Sequence, residues 1–103
     1  MKYNISVKQF IEESKAGNIK YEDFLEKLRD ELQRLQKQYN FFQCAGNLKG
    51  ASASPSIFGL PVSVKDNICT KGMQSSAGSR ILDGYIPPFD ATCVARVKSE
   101  SGL

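Results

Sequence analysis

The side chain best placed to do chemistry is Lys65, which closes the hydrophobic part of the stretch FGLPVSVKDN, Phe58 to Asn67. Val62 and Val64 alternate with Ser63 and Lys65, so a strand here sets two valines on one face and the amine on the other, with the serine. A lysine at a strand end is ordinarily a solvated charge. It can act as a base only where the neutral amine is populated, and at the ordinary lysine pKa of about 10.4 fewer than about one in a thousand is neutral at pH 7. Lowering a pKa by about 3 costs roughly 4 kcal/mol, which burial away from water and from carboxylates can supply. The role therefore asks for a dry amine, and a valine-rich strand is suited to provide one. Asp66 follows directly, but alternation sends its side chain to the opposite face, where it fits a structural hydrogen-bonding role.

The sequence contains no histidine. That excludes Ser-His-Asp and Cys-His catalysis and histidine ligation of a metal within these residues. The three cysteines, Cys44, Cys69 and Cys93, form no CxxC pair, so neither a zinc site nor a disulfide framework is indicated. They are expected to be reduced, mostly buried thiols, and Cys69 lacks a partner base in register to make it a nucleophile. Ser75, Ser76 and Ser79 lie in the exposed-looking loop SSAGS, and their expected role is to hydrogen-bond backbone near Lys65. Gly72, Gly78 and Gly84 fit turns, as do Asn67 and Thr70, because no phosphate-cradling spacing is present.

The elements that must position Lys65 can be read around it. Ser6 and Gln9 form an S-x-x-Q capping box, followed by Val7, Phe10 and Ile11 and a stop at Gly17, which predicts a short first helix. Tyr21, Phe24, Leu25, Leu28, Leu32, Leu35 and Tyr39 recur at spacings of three and four, which predicts a long amphipathic helix. Asp23 to Lys27 and Asp30 to Arg34 are favourable i,i+4 pairs on it. The stripe is also coiled-coil spacing but spans too few heptads to demand a partner helix. A helical region over 1–45 is then followed by a small, polar linker over 46–56 and by a second region over 57–103. That region starts with a strand from Ile57 to Ile68, turns at Lys71-Gly72, and ends in a helix over Ala91 to Glu100, with Asp90 as its N-cap and Cys93, Val94 and Val97 on one side.

One strand cannot satisfy its own ladder. The expected fold class is therefore α/β, read as the N-terminal part of a larger protein: a helical hairpin, then the start of a mixed sheet flanked by helices. The chain has 103 residues, 41% of them hydrophobic and 24% charged, which is the balance of a soluble globular chain. A net charge of +3 with both signs interleaved is too small and scattered for a direct nucleic-acid surface. No apolar run approaches membrane length and the start lacks a signal-peptide core, so a cytoplasmic location is expected.

The ordered pieces G-L-P-V-S-V-K-D-N, T-K-G-M, S-A-G-S and P-P-F-D-A-T within Ile57 to Gly102 resemble the amidase signature family. Within it they look most like the A subunits of glutamine-dependent aminoacyl-tRNA amidotransferases. The first 45 residues are similar only in kind, as two helices ending in YNFF, and the family's usual further helix before the strand is replaced by Gln43 to Ser56. The resemblance implies that Lys65 is the lysine of a Ser, cis-Ser, Lys triad whose serines lie downstream of Leu103. It implies hydrolysis of the side-chain amide of L-glutamine and delivery of ammonia to subunits B and C, which act on Glu-tRNA(Gln) or Asp-tRNA(Asn). ATP and magnesium are then used by the complete complex, with no cofactor or metal held by this segment, which alone is expected to be inactive. Two further readings stay open: a free-standing amide hydrolase with the same triad, and a non-catalytic module that docks through the Tyr21 to Tyr39 stripe.

Overall fold

The computed structural model describes residues 4–46, 48, 57 and 59–103, and the chain divides into two compact units, Met1–Phe41 and Phe42–Leu103. The first is a helical hairpin. Helix α1, Val7–Lys15, starts at the expected capping box: the Ser6 hydroxyl accepts from the Gln9 N–H at 3.2 Å, and the Gln9 side-chain oxygen accepts from the Ser6 N–H at 2.9 Å. It ends with Gly17 at φ +74, where the Gly17 N–H donates to Ser14 and the Asn18 N–H to Glu13. That paired closure satisfies two carbonyls the helix leaves open, and Gly17 adopts it without a Cβ penalty.

Helix α2, Tyr21–Tyr39, has no side-chain cap at Lys20, and Glu22 and Asp23 in its first turn complement the dipole instead. Phe24 and Leu25 are buried, and the Phe24 ring meets Phe10 of α1 with centroids 5.0 Å apart at 51°, a tilted aromatic pair. Nine residues of α1 span about 14 Å, whereas the nineteen of α2 span about 28 Å, so α1 can face only part of the stripe. Leu28, Leu32 and Leu35 are accordingly half-buried and Tyr39 is 64% exposed. Arg34 departs from the expected i,i+4 pairing with Asp30. Its guanidinium donates twice to Glu31, at 2.7 and 3.0 Å, because the i,i+3 geometry lets the planar fork meet both carboxylate oxygens.

The second unit differs from the expected α/β arrangement. Among the described residues there is no strand, and the mixed sheet is not formed. The predicted strand over 57–68 is an irregular extended run from Leu60 to Lys65, closed by a turn in which the Ile68 N–H donates to the Lys65 C=O at 2.9 Å. Phe58 and most of the 46–56 linker lie outside the described residues. The physical reason is the one that limits any lone strand, namely lack of a neighbour. A single pair of bonds has the parallel-ladder pattern: the Leu103 N–H donates to the Leu60 C=O at 3.0 Å and the Val62 N–H donates to the Leu103 C=O at 2.8 Å. Beyond that pair, neither the Val62 C=O nor the Val64 N–H has a hydrogen-bonded partner among the described residues.

Helix α3, Thr92–Ser99, is shorter than the sequence predicts and is preceded by a 3₁₀ turn at Arg80–Leu82. Its N-cap is Ala91, not Asp90, whose carboxylate is used elsewhere. Val94 is buried and Val97 half-buried, but Cys93 is exposed, because a step of about 100° per residue carries it off the face those valines share. Cys44 is also exposed and Cys69 half-buried, so the thiols are free but not mostly buried as expected.

The helix closes with the Ser101 N–H donating to Lys98 and the Gly102 N–H donating to Val97, the same paired closure as α1. Here the left-handed position is held by Ser101 at φ +64. Ser101→Gly is expected to raise stability by about 0.5–1 kcal/mol, since the replacement enters that region freely. A thermal unfolding midpoint that stays put or falls would contradict it.

Candidate active site around Lys65

The extended run that carries Lys65 is held from two directions. At its start it rests on the end of α3, through the Leu103 bonds and an Ile57 N–H donated to the Glu100 C=O at 3.3 Å. At its end it is fixed by Asp66. The Asp66 carboxylate accepts from the Ser76 hydroxyl at 2.6 Å, the Ser76 N–H at 3.1 Å and the Gly78 N–H at 3.2 Å, while its backbone C=O accepts from the Ala77 N–H at 3.2 Å. The structural role expected of Asp66 is thus observed, with the SSAGS loop as its partner.

The serines do not behave as exposed loop hydroxyls. Ser75 and Ser76 are 7% and 6% exposed, and the Ser75 N–H donates to the Tyr85 C=O at 3.0 Å. The Ser76 hydroxyl binds a carboxylate rather than backbone, because a buried hydroxyl gains most from a charged acceptor. Ser79 accepts from the Ile81 N–H and caps the 3₁₀ turn. With its proton committed to Asp66, the Ser76 hydroxyl is not a nucleophile in this arrangement. Gly72, at φ +80, is the third residue of a turn closed by the Met73 N–H on the Thr70 C=O, as its turn reading requires.

A second carboxylate does the same service at the start of α3. Asp90 accepts from the Lys71 N–H at 2.8 Å and from the Lys98 ammonium at 2.8 and 2.9 Å, and the Ala91 N–H donates to the Cys69 C=O at 2.8 Å. Sequence reasoning missed this staple. The only available signal was an aspartate after Pro-Pro-Phe, which is as consistent with a helix cap.

Both carboxyls are held below the ordinary aspartate range. For Asp66 the largest cause is the Ser76 hydroxyl, then the Ser76 N–H; for Asp90 it is the Lys98 ammonium, then the Lys71 N–H. A folded pKa below the unfolded one stabilises the fold above the ordinary value of about 3.9, and that stabilisation is lost as pH falls through the lowered value. The unfolding midpoint is therefore expected to drop below about pH 4, with a shallower acid limb in a variant carrying both Asp66→Asn and Asp90→Asn. Identical limbs in variant and parent would remove these two groups as the cause.

Lys65 itself is exposed, and Val62 and Val64 are each 39% exposed. The drying expected from the valine run is not seen among the described residues, where Leu103 pairs beside the run only at Leu60 and Val62, short of the lysine. No group of three or more His, Cys, Asp or Glu side chains that could hold a metal occurs among the described residues, and no described helix is long and apolar enough to cross a membrane.

What the geometry offers is an amine at the end of a run whose backbone is pinned on both sides, followed by an aspartate that gathers a loop with two buried serines. The sequence pattern of the Amidase family matches residues 6–103, across both units. The chain belongs to the Amidase family. Among relatives of this Amidase chain, the A subunit of glutamyl-tRNA(Gln) amidotransferase from Sulfolobus acidocaldarius is 32% identical over 94% of the chain and 22% of its own length. The A subunit of the same name from Persephonella marina is 31% identical over 91% of the chain and 18% of its own length. The chloroplastic/mitochondrial A subunit from Vitis vinifera reaches 62% identity over 45 residues, 44% of the chain and 8% of its own length. The chain thus spans about a fifth of the length of the first two relatives. No solved structure matches significantly.

Proposed function

We propose that this Amidase chain forms the N-terminal segment of the A subunit of a tRNA-dependent amidotransferase, and that Lys65 is the base of its Ser, cis-Ser, Lys triad. The family match over residues 6–103, together with the similarity to relatives that carry the A-subunit name, is the observation that supports this reading. In the complete protein the Lys65 amine takes the proton of the nucleophilic serine through the second serine and returns it to the departing ammonia. Glutamine is the amide donor, and the ammonia passes to subunits B and C, which use ATP and magnesium on Glu-tRNA(Gln) or Asp-tRNA(Asn) in the cytoplasm. Because Lys65 is exposed, the rest of the protein must cover this amine and bring the serines to it.

The test is ammonia release from L-glutamine by the complete protein, together with co-purification of subunits B and C. Release and co-purification support the reading. Release of ammonia from simple amides with no associated subunits would make the protein a free-standing hydrolase instead.

A further inference from the structure

We propose that Asp66 is a positioning residue for Lys65: it locks the backbone that follows the amine into the Ser76–Gly78 loop and keeps its own carboxylate engaged by that loop. The inference rests on Lys65 being the base. Three successive N–H groups, those of Ser76, Ala77 and Gly78, converge on Asp66, two on the carboxylate and one on its backbone oxygen, and the Ser76 hydroxyl adds a fourth donor. Two of them, those of Ser76 and Gly78, close on the one carboxylate in a nest-like loop whose occupant is the chain's own side chain.

The nest is not a relaxed loop that happens to lie close. Ala77 takes φ +50 and Gly78 φ +69 to form it, the first at a cost to any residue with a Cβ. Ser76 anchors it to the interior at 6% exposure. With the Lys65 C=O also held by the Ile68 N–H at 2.9 Å, two consecutive carbonyls on the C-terminal side of the lysine Cα are tied down. The direction from which the lysine side chain leaves the backbone is then set before any serine arrives.

The second half of the device is electrostatic. A carboxylate free to swing toward a neighbouring amine holds that amine protonated, which opposes its use as a base. In Asp66 both oxygens already accept hydrogen bonds from the loop, which holds the carboxylate there.

The experiment measures kcat and KM for ammonia release from L-glutamine in the complete protein bearing Asp66→Ala, Asp66→Asn, Ser76→Ala or Lys65→Ala. Asp66→Ala is expected to lower kcat about 10- to 100-fold with KM within about twofold, the signature of a misplaced reacting group rather than lost binding. Asp66→Asn should recover part of that loss, because its amide oxygen still accepts from the Ser76 N–H and the Ser76 hydroxyl can turn to accept from the amide, with only the Gly78 N–H losing its acceptor. Ser76→Ala should lower kcat about 3- to 10-fold with KM unchanged, and carries the test if Asp66→Ala does not fold. An unchanged kcat in these variants, a rise in KM alone, or Asn as defective as Ala overturns the positioning role while leaving Lys65 untouched. Normal turnover in Lys65→Ala overturns the reading beneath it instead.

Discussion

Lys65→Ala in the complete protein is expected to cut glutamine hydrolysis by about 10³-fold or more while leaving the protein folded. The activity term follows from removing the only base the proposed triad has, and positioned proton transfer is worth about 10²–10⁴. The stability term follows from the structure of the segment. The lysine side chain is exposed and makes no hydrogen bond or ion pair among the described residues, so its removal breaks no contact seen here. Exposed substitutions of that kind stay within about 0.5 kcal/mol, so within this segment the fold survives the change. Lys65→Arg should be equally inactive, since a guanidinium does not give up its proton in a protein. Steady-state ammonia release and thermal unfolding of the same preparations decide the matter. Near-normal turnover in either variant ends the assignment of Lys65.

The largest structural effect is expected at Gly102. A Cβ there would lie 2.9 Å from the Val97 carbonyl oxygen and 3.1 Å from the Ile57 side chain, and would collide outright with a Val97 methyl group. Two of those neighbours cannot step aside cheaply. The Val97 carbonyl is bonded to the Gly102 N–H itself, and the Val97 side chain is part of the face that α3 packs inward. Gly102→Ala should therefore open the closure of α3 and pull Leu103 away from Leu60 and Val62, at a cost of about 2–3 kcal/mol. That corresponds to roughly 10 °C or more in the unfolding midpoint of a domain this small. Loss of amide protection at Val62 would accompany it, because its N–H depends on the Leu103 carbonyl. A midpoint within about a degree of the parent would show that the turn relaxes without consequence.

The two substitutions probe different levels of organisation, and sequence reading succeeded unequally at those levels. The capping box of α1, the stop at Gly17 and the apolar stripe of α2 were legible because each is decided within one or two turns of chain. The partner of Arg34 was not, since Asp30 and Glu31 are both within reach on a helix and only the side-chain geometry chooses between them. The strand over 57–68 was over-read for the opposite reason. Alternating valines give a chain the tendency to extend, but a ladder needs a second row of donors and acceptors, and among the described residues Leu103 alone supplies one pair of bonds.

For the site, the identity of Lys65 as the residue to question was visible in its motif, and the membership of the Amidase family agrees with the pieces around it. The surroundings of that lysine were not visible. Ser76 lies ten residues from the carboxylate that buries its hydroxyl, and Lys71 nineteen from the Asp90 that holds its N–H. Nothing in local propensity ranks such pairs, because Ser, Asp and Gly are equally at home in free turns.

The sequence by itself determined where this chain coils into helices, where those helices stop and which amine stands in a family motif, since these depend on neighbours a few residues apart. Only the tertiary structure decided that Asp66 gathers a loop instead of facing solvent, that Asp90 staples rather than caps, and that Lys65 stands in water. Those outcomes depend on which distant groups meet and on what is absent beside an extended segment, and both are set by the whole arrangement of the chain in space.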